Sequence, residues 1–359
     1  MLKRKEIRVL LYIVGAVIFS NCSSVVLTED FPQIDSAKGF SNPRYVEGEL
    51  IVNIKNIHLF KEEELEQSNI ENKIPKEEKP TLKLWSAKIS NQMNQRDVEN
   101  LEYTLPPTEI FADEENGNKI LYWDLTDSLK EGSSIVVKRK FSYIAYDYKP
   151  IINQNIVIER WSEIPQSILV FYTKSEDFLI ESNEIKKTAA SIVGGEENPL
   201  LKANLIYTWI RDTMKYVYPP EKRGANEALK KCEGDCGQYS NLFIALARSQ
   251  KIPARQQSGF NFTLEKTGYH VWSEIYLPTY GWVPVDATRE NGFCFLDNKR
   301  LIASVGMNIP LRHTPEWATY ENSDVKNGVT DFMQLVTLVA SGFDAEISTE
   351  RKILRSENR

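Results

Sequence analysis

The chain has 359 residues, 42% of them hydrophobic and 26% charged, with a formal net charge of −6. This is the composition of an ordinary globular protein and excludes wholesale disorder, while the length allows two domains of roughly 100–200 residues each. Lys and Arg are interspersed with Asp and Glu and form no basic stripe, so nucleic acid is not expected as a partner, because phosphate binding needs concentrated positive charge.

The first segment, 1–22, differs from the rest. Lys3, Arg4, Lys5 and Arg8 precede a wholly apolar run from Val9 to Phe19, which stops at Ser20, Asn21 and Cys22. The run is too short for a spanning helix, which needs about 20 apolar residues, and fits the hydrophobic region of a signal peptide. Small or polar residues just before Cys22 resemble a bacterial lipobox, although Phe19 and Asn21 depart from the common Leu and Gly or Ala. The resemblance implies lipidation of Cys22 and an exported, membrane-anchored protein, periplasmic or on the cell surface. An uncleaved N-terminal signal anchor is the alternative, and Cys22 is then incidental. Residues 23–43 read as a polar tether.

From 44 to about 150 the pattern is β-like. An extended run starts at Tyr45, and residues 61–81 form a charged insert read as a solvated loop or short exposed helix. Glu99–Leu105, Ile120–Leu125 and Ser134–Tyr148 are strand candidates, with Asn116-Gly117-Asn118 as a hairpin signal. Several short strands at turn-marked spacing predict a β-sandwich. After Pro150 a second domain is expected over 151–320. Helical spacing begins at Asn183, and Asn198-Pro199 is a cap and first-turn pair for a helix that ends near Thr213. A further helix begins at Cys236. Gly259–Phe262, Tyr269–Leu277 and Trp282–Asp286 read as strands, with the turn Pro278-Thr279-Tyr280-Gly281 between the last two. Helices followed by antiparallel strands predict an α+β domain. Arg300–Leu311 is strand-like and is expected to finish its sheet. Residues 321–359 have no assigned role.

Cys236 follows Gly234-Asp235 and opens an apolar helical pattern. A thiol with an ordinary pKa near 8.5 is mostly protonated at neutral pH, and a helix N-terminus favours the thiolate that attacks carbonyls. A histidine supplies the base. His270 begins a strand on which Trp272 shares its face, so the indole is placed to shield the imidazole from water. Asp286 ends the next strand, and antiparallel pairing about the 278–281 turn brings the two to one sheet end. An acid there fixes the imidazole's tautomer and orientation.

The segments EGDCGQYSNLFIALARSQKIPAR and YHVWSEIYLPTYGWVPVDAT resemble the nucleophile helix and the histidine and aspartate strands of the transglutaminase-like superfamily. The resemblance covers about residues 195–290. It implies a papain-like catalytic domain preceded by an all-β sandwich, with Cys236 as nucleophile, His270 as base and Asp286 as orienting acid. Ala287 stands where the family often has Pro. A cysteine-nucleophile enzyme acting on amide or peptide bonds through a thioester is thereby implied, as peptidase, amidase or glutamine transamidase, with a protein or peptide substrate; no calcium-loop pattern of the D-x-[DN]-x-[DN]-G type is present in the sequence, so no cofactor is expected. The alternative is a surface scaffold that keeps the fold without turnover. Tyr216 and Tyr218 are read as core packing or as lending a hydroxyl to an oxyanion site. Cys232 is read as an inert thiol or a regulatory disulfide partner of Cys236. Trp209 and Trp282 read as packing residues, and His58 and His313 have no partners that the sequence identifies. No metal site is expected, because Cys232 and Cys236 lack a second pair of ligands at zinc spacing.

Overall fold

A computed structural model describes residues 38–71, 79–318, 325–326 and 328–359 of the chain. Cys22, the signal segment and most of the tether therefore lie outside the described residues.

Among the described residues up to Tyr148, six strands and one short α-helix form. The strands are β1 (Phe40–Leu59), β2 (Thr81–Ala87), β3 (Gln95–Tyr103), β4 (Glu109–Ala112), β5 (Lys119–Asp124) and β6 (Ile135–Tyr148). Helix α1 (Glu62–Glu71) lies within the charged insert. Strand β2 follows the insert where the sequence reading assigned nothing, and its Leu82, Leu84 and Trp85 are fully buried. Asn116-Gly117-Asn118 falls in the connection between the paired strands β4 and β5, as the turn chemistry predicts.

Next come α2 (Gln154–Glu159), α3 (Gln166–Tyr172), α4 (Asn183–Val193), α5 (Pro199–Thr213), α6 (Ala225–Lys231) and α7 (Cys236–Ser249). Asn198 caps α5 through its side chain, which accepts from the Leu200 N–H, and Pro199 sits in the first turn. Helices α2 and α3 fall where the sequence reading assigned nothing. Strands β7 (Ala254–Phe262), β8 (Thr267–Leu277), β9 (Gly281–Val285) and β10 (Arg300–Val305) follow, and β11 (Thr337–Ser341) and β12 (Phe343–Asn358) end the chain.

Among the described residues, three four-stranded sheets form, in the orders β12-β1-β6-β3, β11-β2-β5-β4 and β9-β8-β7-β10. The first two share one apolar core, in which Val46, Leu50, Ile54, Phe141 and Tyr143 of one meet Leu84, Leu121 and Trp123 of the other. Both are completed by C-terminal strands, β12 and β11, from the stretch with no role assigned from its pattern. Phe260, Phe262, Leu301 and Ala303, from the third sheet, join the same core. Helices α2 and α4 to α7 with Ile275, Leu277, Val283 and Val285 form a second core. Helix α7 lies at its centre, buried from Gly237 to Arg248 and packed against α4, α5, α6 and β8. A helix with so little polar face belongs inside, and in its first turn only Cys236 is not fully buried.

Candidate active site

Cys236 opens α7 because the three residues around it leave the chain little choice. Gly234 has φ +155, and a Cβ there meets Gln238 Cβ at 2.4 Å, so a larger residue is excluded. Asp235 is the N-cap, its carboxylate accepting from the Gln238 N–H at 3.1 Å. Arg223 holds that carboxylate with both guanidinium nitrogens, at 3.2 and 2.9 Å. The cap is fixed, and the positive end of the helix dipole faces the thiol.

His270 and Asp286 meet as the turn predicts. Strands β8 and β9 pair antiparallel from Leu277 opposite Gly281 to Ser273 opposite Val285. Asp286 follows directly and accepts from His270 Nε2 at 2.7 Å. Both side chains are buried. The other ring nitrogen is left for the thiol, and Cys236 is within hydrogen-bonding reach of the imidazole. The contact between helix and sheet is long-range. It is secured one turn further along α7, where Ser240 Oγ and Ser273 Oγ lie 2.8 Å apart. Trp272 stacks on His270 with ring centroids 5.7 Å apart and donates its indole N–H to Gln257.

The electrostatics favour an ion pair. Burial works against a charged His270, but the charge and hydrogen bond of Asp286 and the bond to Cys236 outweigh it, raising the imidazole above its ordinary 6.5. Burial likewise pushes Asp286 upward. The charges of His270 and Arg300 and the bonds from His270 and Thr288 overcome this and hold it well below the ordinary 3.8.

Sequence reasoning missed three contributors. Thr288 donates its N–H and hydroxyl to Asp286 Oδ1 at 3.1 and 2.6 Å. This is a local Asx-type turn that Asp286-Ala287-Thr288 signals by its spacing. Arg300 donates to Asp286 Oδ2 at 3.2 Å, and no local pattern marks it. Gln334 donates to the backbone carbonyls of Gly259 and His270, both at 3.0 Å, and so pins the histidine strand from the C-terminal segment.

Tyr216 and Tyr218 do not pack in the core: they are 55% and 74% exposed. The packing expectation fails because the short strand Lys215–Tyr216 runs at the surface, beside Glu233–Gly234. Tyr216 nonetheless sits beside Cys236. Burial raises its pKa first, followed by the charges of Cys236 and Asp235, and its hydroxyl is hydrogen-bonded to the backbone and thiol of Cys236. Cys232 and Cys236 are separate free thiols, as is Cys294. Burial pushes the Cys294 thiol up to about 12, which leaves it unreactive. Trp282 is buried with the Arg255 guanidinium 3.9 Å from its ring, and Trp209 packs at the border of the helical core. The remaining histidines do have partners: His58 bonds Glu131 at 3.1 Å, and His313 bonds Glu109 at 2.6 Å.

The family model of the transglutaminase-like superfamily matches residues 186–287. A candidate cysteine protease from Cytophaga hutchinsonii has a crystal structure similar to this one, with a TM-score of 0.56, 17% identity, and 88% of this chain and 92% of that chain covered. At that identity the likeness is one of fold. The periplasmic domain of TgpA from Pseudomonas aeruginosa aligns with a TM-score of 0.34 and 11% identity, over 58% of this chain and 87% of that chain; this is too loose to bear on the site. An uncharacterized protein of Haemophilus influenzae is 29% identical over 143 residues. The alignment spans 32% of this chain and only 39% of that protein.

Proposed function

We propose, for a chain that carries a transglutaminase-like domain over residues 186–287, a cysteine-nucleophile enzyme that cleaves or transfers at amide bonds. The observation that carries this reading is the His270 imidazole bonded to Asp286 at 2.7 Å, with the Cys236 thiol of a helix N-terminus close enough to raise its pKa. The Cys236 thiolate attacks a carboxamide or peptide carbonyl, and its Sγ–C bond forms as the carbonyl opens to an oxyanion. The Tyr216 hydroxyl, which lies beside Cys236, is the donor we assign to that oxygen. His270 then gives its proton to the departing amine as the C–N bond breaks, leaving a thioester. Asp286 keeps the ring oriented and its cation stabilised through both steps.

Water or an amine can complete the turnover. Cys236 is only half-buried and its neighbour Tyr216 is more than half exposed. Water therefore reaches the thioester, which favours hydrolysis over transamidation, and a protein or peptide is the substrate class that fits. Release of amine from an acyl-donor peptide library, with and without added primary amines, tests this. Turnover is expected in the wild type and absent in Cys236→Ala. In parallel, Cys236 is expected to react with iodoacetamide at neutral pH faster than a free thiol, and to lose that advantage in His270→Ala. Labelling at the free-thiol rate, with no turnover, favours a surface scaffold instead. We also propose that Cys22 carries lipid and anchors the exported protein, on the strength of the basic, apolar and cysteine pattern of residues 3–22. Cys22→Ser is then expected to leave the membrane fraction and lose incorporation of a labelled fatty acid. An unchanged distribution refutes this.

A further inference from the structure

His270 does not hold Asp286 alone. The carboxylate oxygen that accepts from His270 Nε2, Oδ2, also accepts from Arg300 Nη2 at 3.2 Å. Arg300 opens β10 opposite Asn261 of β7, and its side chain is 2% exposed. Its Nη1 donates to Asn261 Oδ1 and lies 3.7 Å from Asp297. Its guanidinium lies 5.8 Å from the ring of Trp272, the indole stacked on His270. Among the described residues its Nε has no hydrogen-bond partner. A guanidinium taken out of water costs several kcal/mol unless paired, and an incompletely satisfied one needs a reason. Structure alone supplies a weak one, because Asp286 already has a cationic partner in protonated His270 and two further bonds from Thr288.

We propose that Arg300, which lies outside the family-matched segment, is a positioning residue of the reaction: it keeps Asp286 ionised in one orientation and limits how tightly the imidazole holds its proton. This rests on the Cys236–His270–Asp286 reading. A general acid must both take the thiol's proton and surrender it to the leaving amine. A buried carboxylate acting alone over-stabilises the imidazolium, and a buried cation on the same oxygen cancels part of its field. The charge of Arg300 does pull His270 down, against the pull of Asp286 and Cys236 upward. The other charged groups facing the pair are Arg289, whose Nε is 3.9 Å from Asp286 on a half-exposed side chain, and Asp297 behind Arg300. Tyr207 also feels Asp286, with a pKa raised first by burial and in smaller part by that charge. Solvent screens Arg289; Arg300 is shielded from it.

The test is the pH profile of Cys236 alkylation by iodoacetamide in the full chain, read by peptide mass spectrometry, in wild type, Arg300→Gln and Arg300→Lys. The limb on which the imidazolium loses its proton is expected to move to higher pH by about 0.5–1 unit in Arg300→Gln, and by less than half of that in Arg300→Lys. A role in packing alone lowers thermal stability without moving the limb. A limb unmoved in folded Arg300→Gln, or moved equally by Lys, overturns the proposal. If Arg300→Gln does not fold, Asp297→Asn replaces it. Removing the carboxylate that opposes Arg300 is expected to move the limb to lower pH, and a fixed limb again overturns the proposal. A wild type with no enhanced alkylation at any pH refutes the enzyme reading as well, and is distinguishable because no variant then has a limb to move.

Discussion

At the scale of single residues, the site is a chain of hydrogen bonds with a different burial at each member. Cys236 is half-buried, whereas His270 and Asp286 are sealed behind Trp272 and Arg300. The charge pair is thus protected from water while the sulfur stays reachable. Tyr216 is the residue most open to a direct test. If its hydroxyl supports the oxyanion, Tyr216→Phe is expected to lower kcat by roughly 10-fold or more with little change in KM, the signature of a contact made in the transition state. An unchanged kcat assigns the tyrosine to the surface only. Thr288→Val removes the shortest bond to the Asp286 carboxylate. It is expected to lower kcat without altering the rate at which amines compete with water, which product ratios measure.

At the scale of elements, the histidine strand is held from both sides. His270 of β8 pairs with Gly259 of β7, and Gly259 pairs with Ile302 of β10. A Cβ on Gly259 meets the Leu301 carbonyl oxygen at 2.0 Å, so the glycine is required by the close approach of β10. Gly259→Ala is expected to separate β7 from β10, cost roughly 1–3 kcal/mol in urea unfolding, and reduce activity beyond the loss of folded protein, because β10 carries Arg300. Equal stability of the two proteins contradicts this account. Helix α7 is the other rigid arm. Its start was legible from Gly234-Asp235-Cys236 ahead of an apolar helical run, whereas the capping bond of Asp235 is seen only in the structure. The partner of that cap, Arg223, was not legible either, because that contact crosses from a loop before α6.

At the scale of the whole molecule, the C-terminal residues are structural members of the N-terminal sheets. Strand β12 runs antiparallel to β1 from Arg44 opposite Asn358 to Leu59 opposite Phe343. Deleting residues 343–359 exposes that long edge together with apolar β1 side chains, and is expected to yield aggregated protein with no cooperative thermal transition; a soluble, cooperatively unfolding truncation would contradict it. The buried His270–Asp286 pair also ties stability to pH. Asp286 is depressed in the folded state, so its contribution is present above its ordinary 3.8 and is lost as pH falls below that value. His270 is raised, so its contribution is complete below 6.5 and is lost as pH rises through the higher folded value. The urea midpoint is therefore expected to be highest in the weakly acidic window between the two, and the rise towards that window is expected to shrink in Asp286→Asn.

What could be read along the chain is what local chemistry controls. The Gly234-Asp235 entry before Cys236, the turn that sets His270 beside Asp286, and the hairpin at Asn116-Gly117 each lie within a few residues of what they control. Alternation and helical spacing marked most of the strands and the long helices for the same reason. Tertiary structure decided the rest: the meeting of α7 with β8 through Ser240 and Ser273, the descent of Arg300 onto Asp286, the clamp of Gln334 on the histidine strand, and the return of β11 and β12 to the N-terminal sheets. Those contacts join residues far apart in the chain, and whether they form depends on how apolar faces stack into a common core. Spacing along one segment does not encode that stacking.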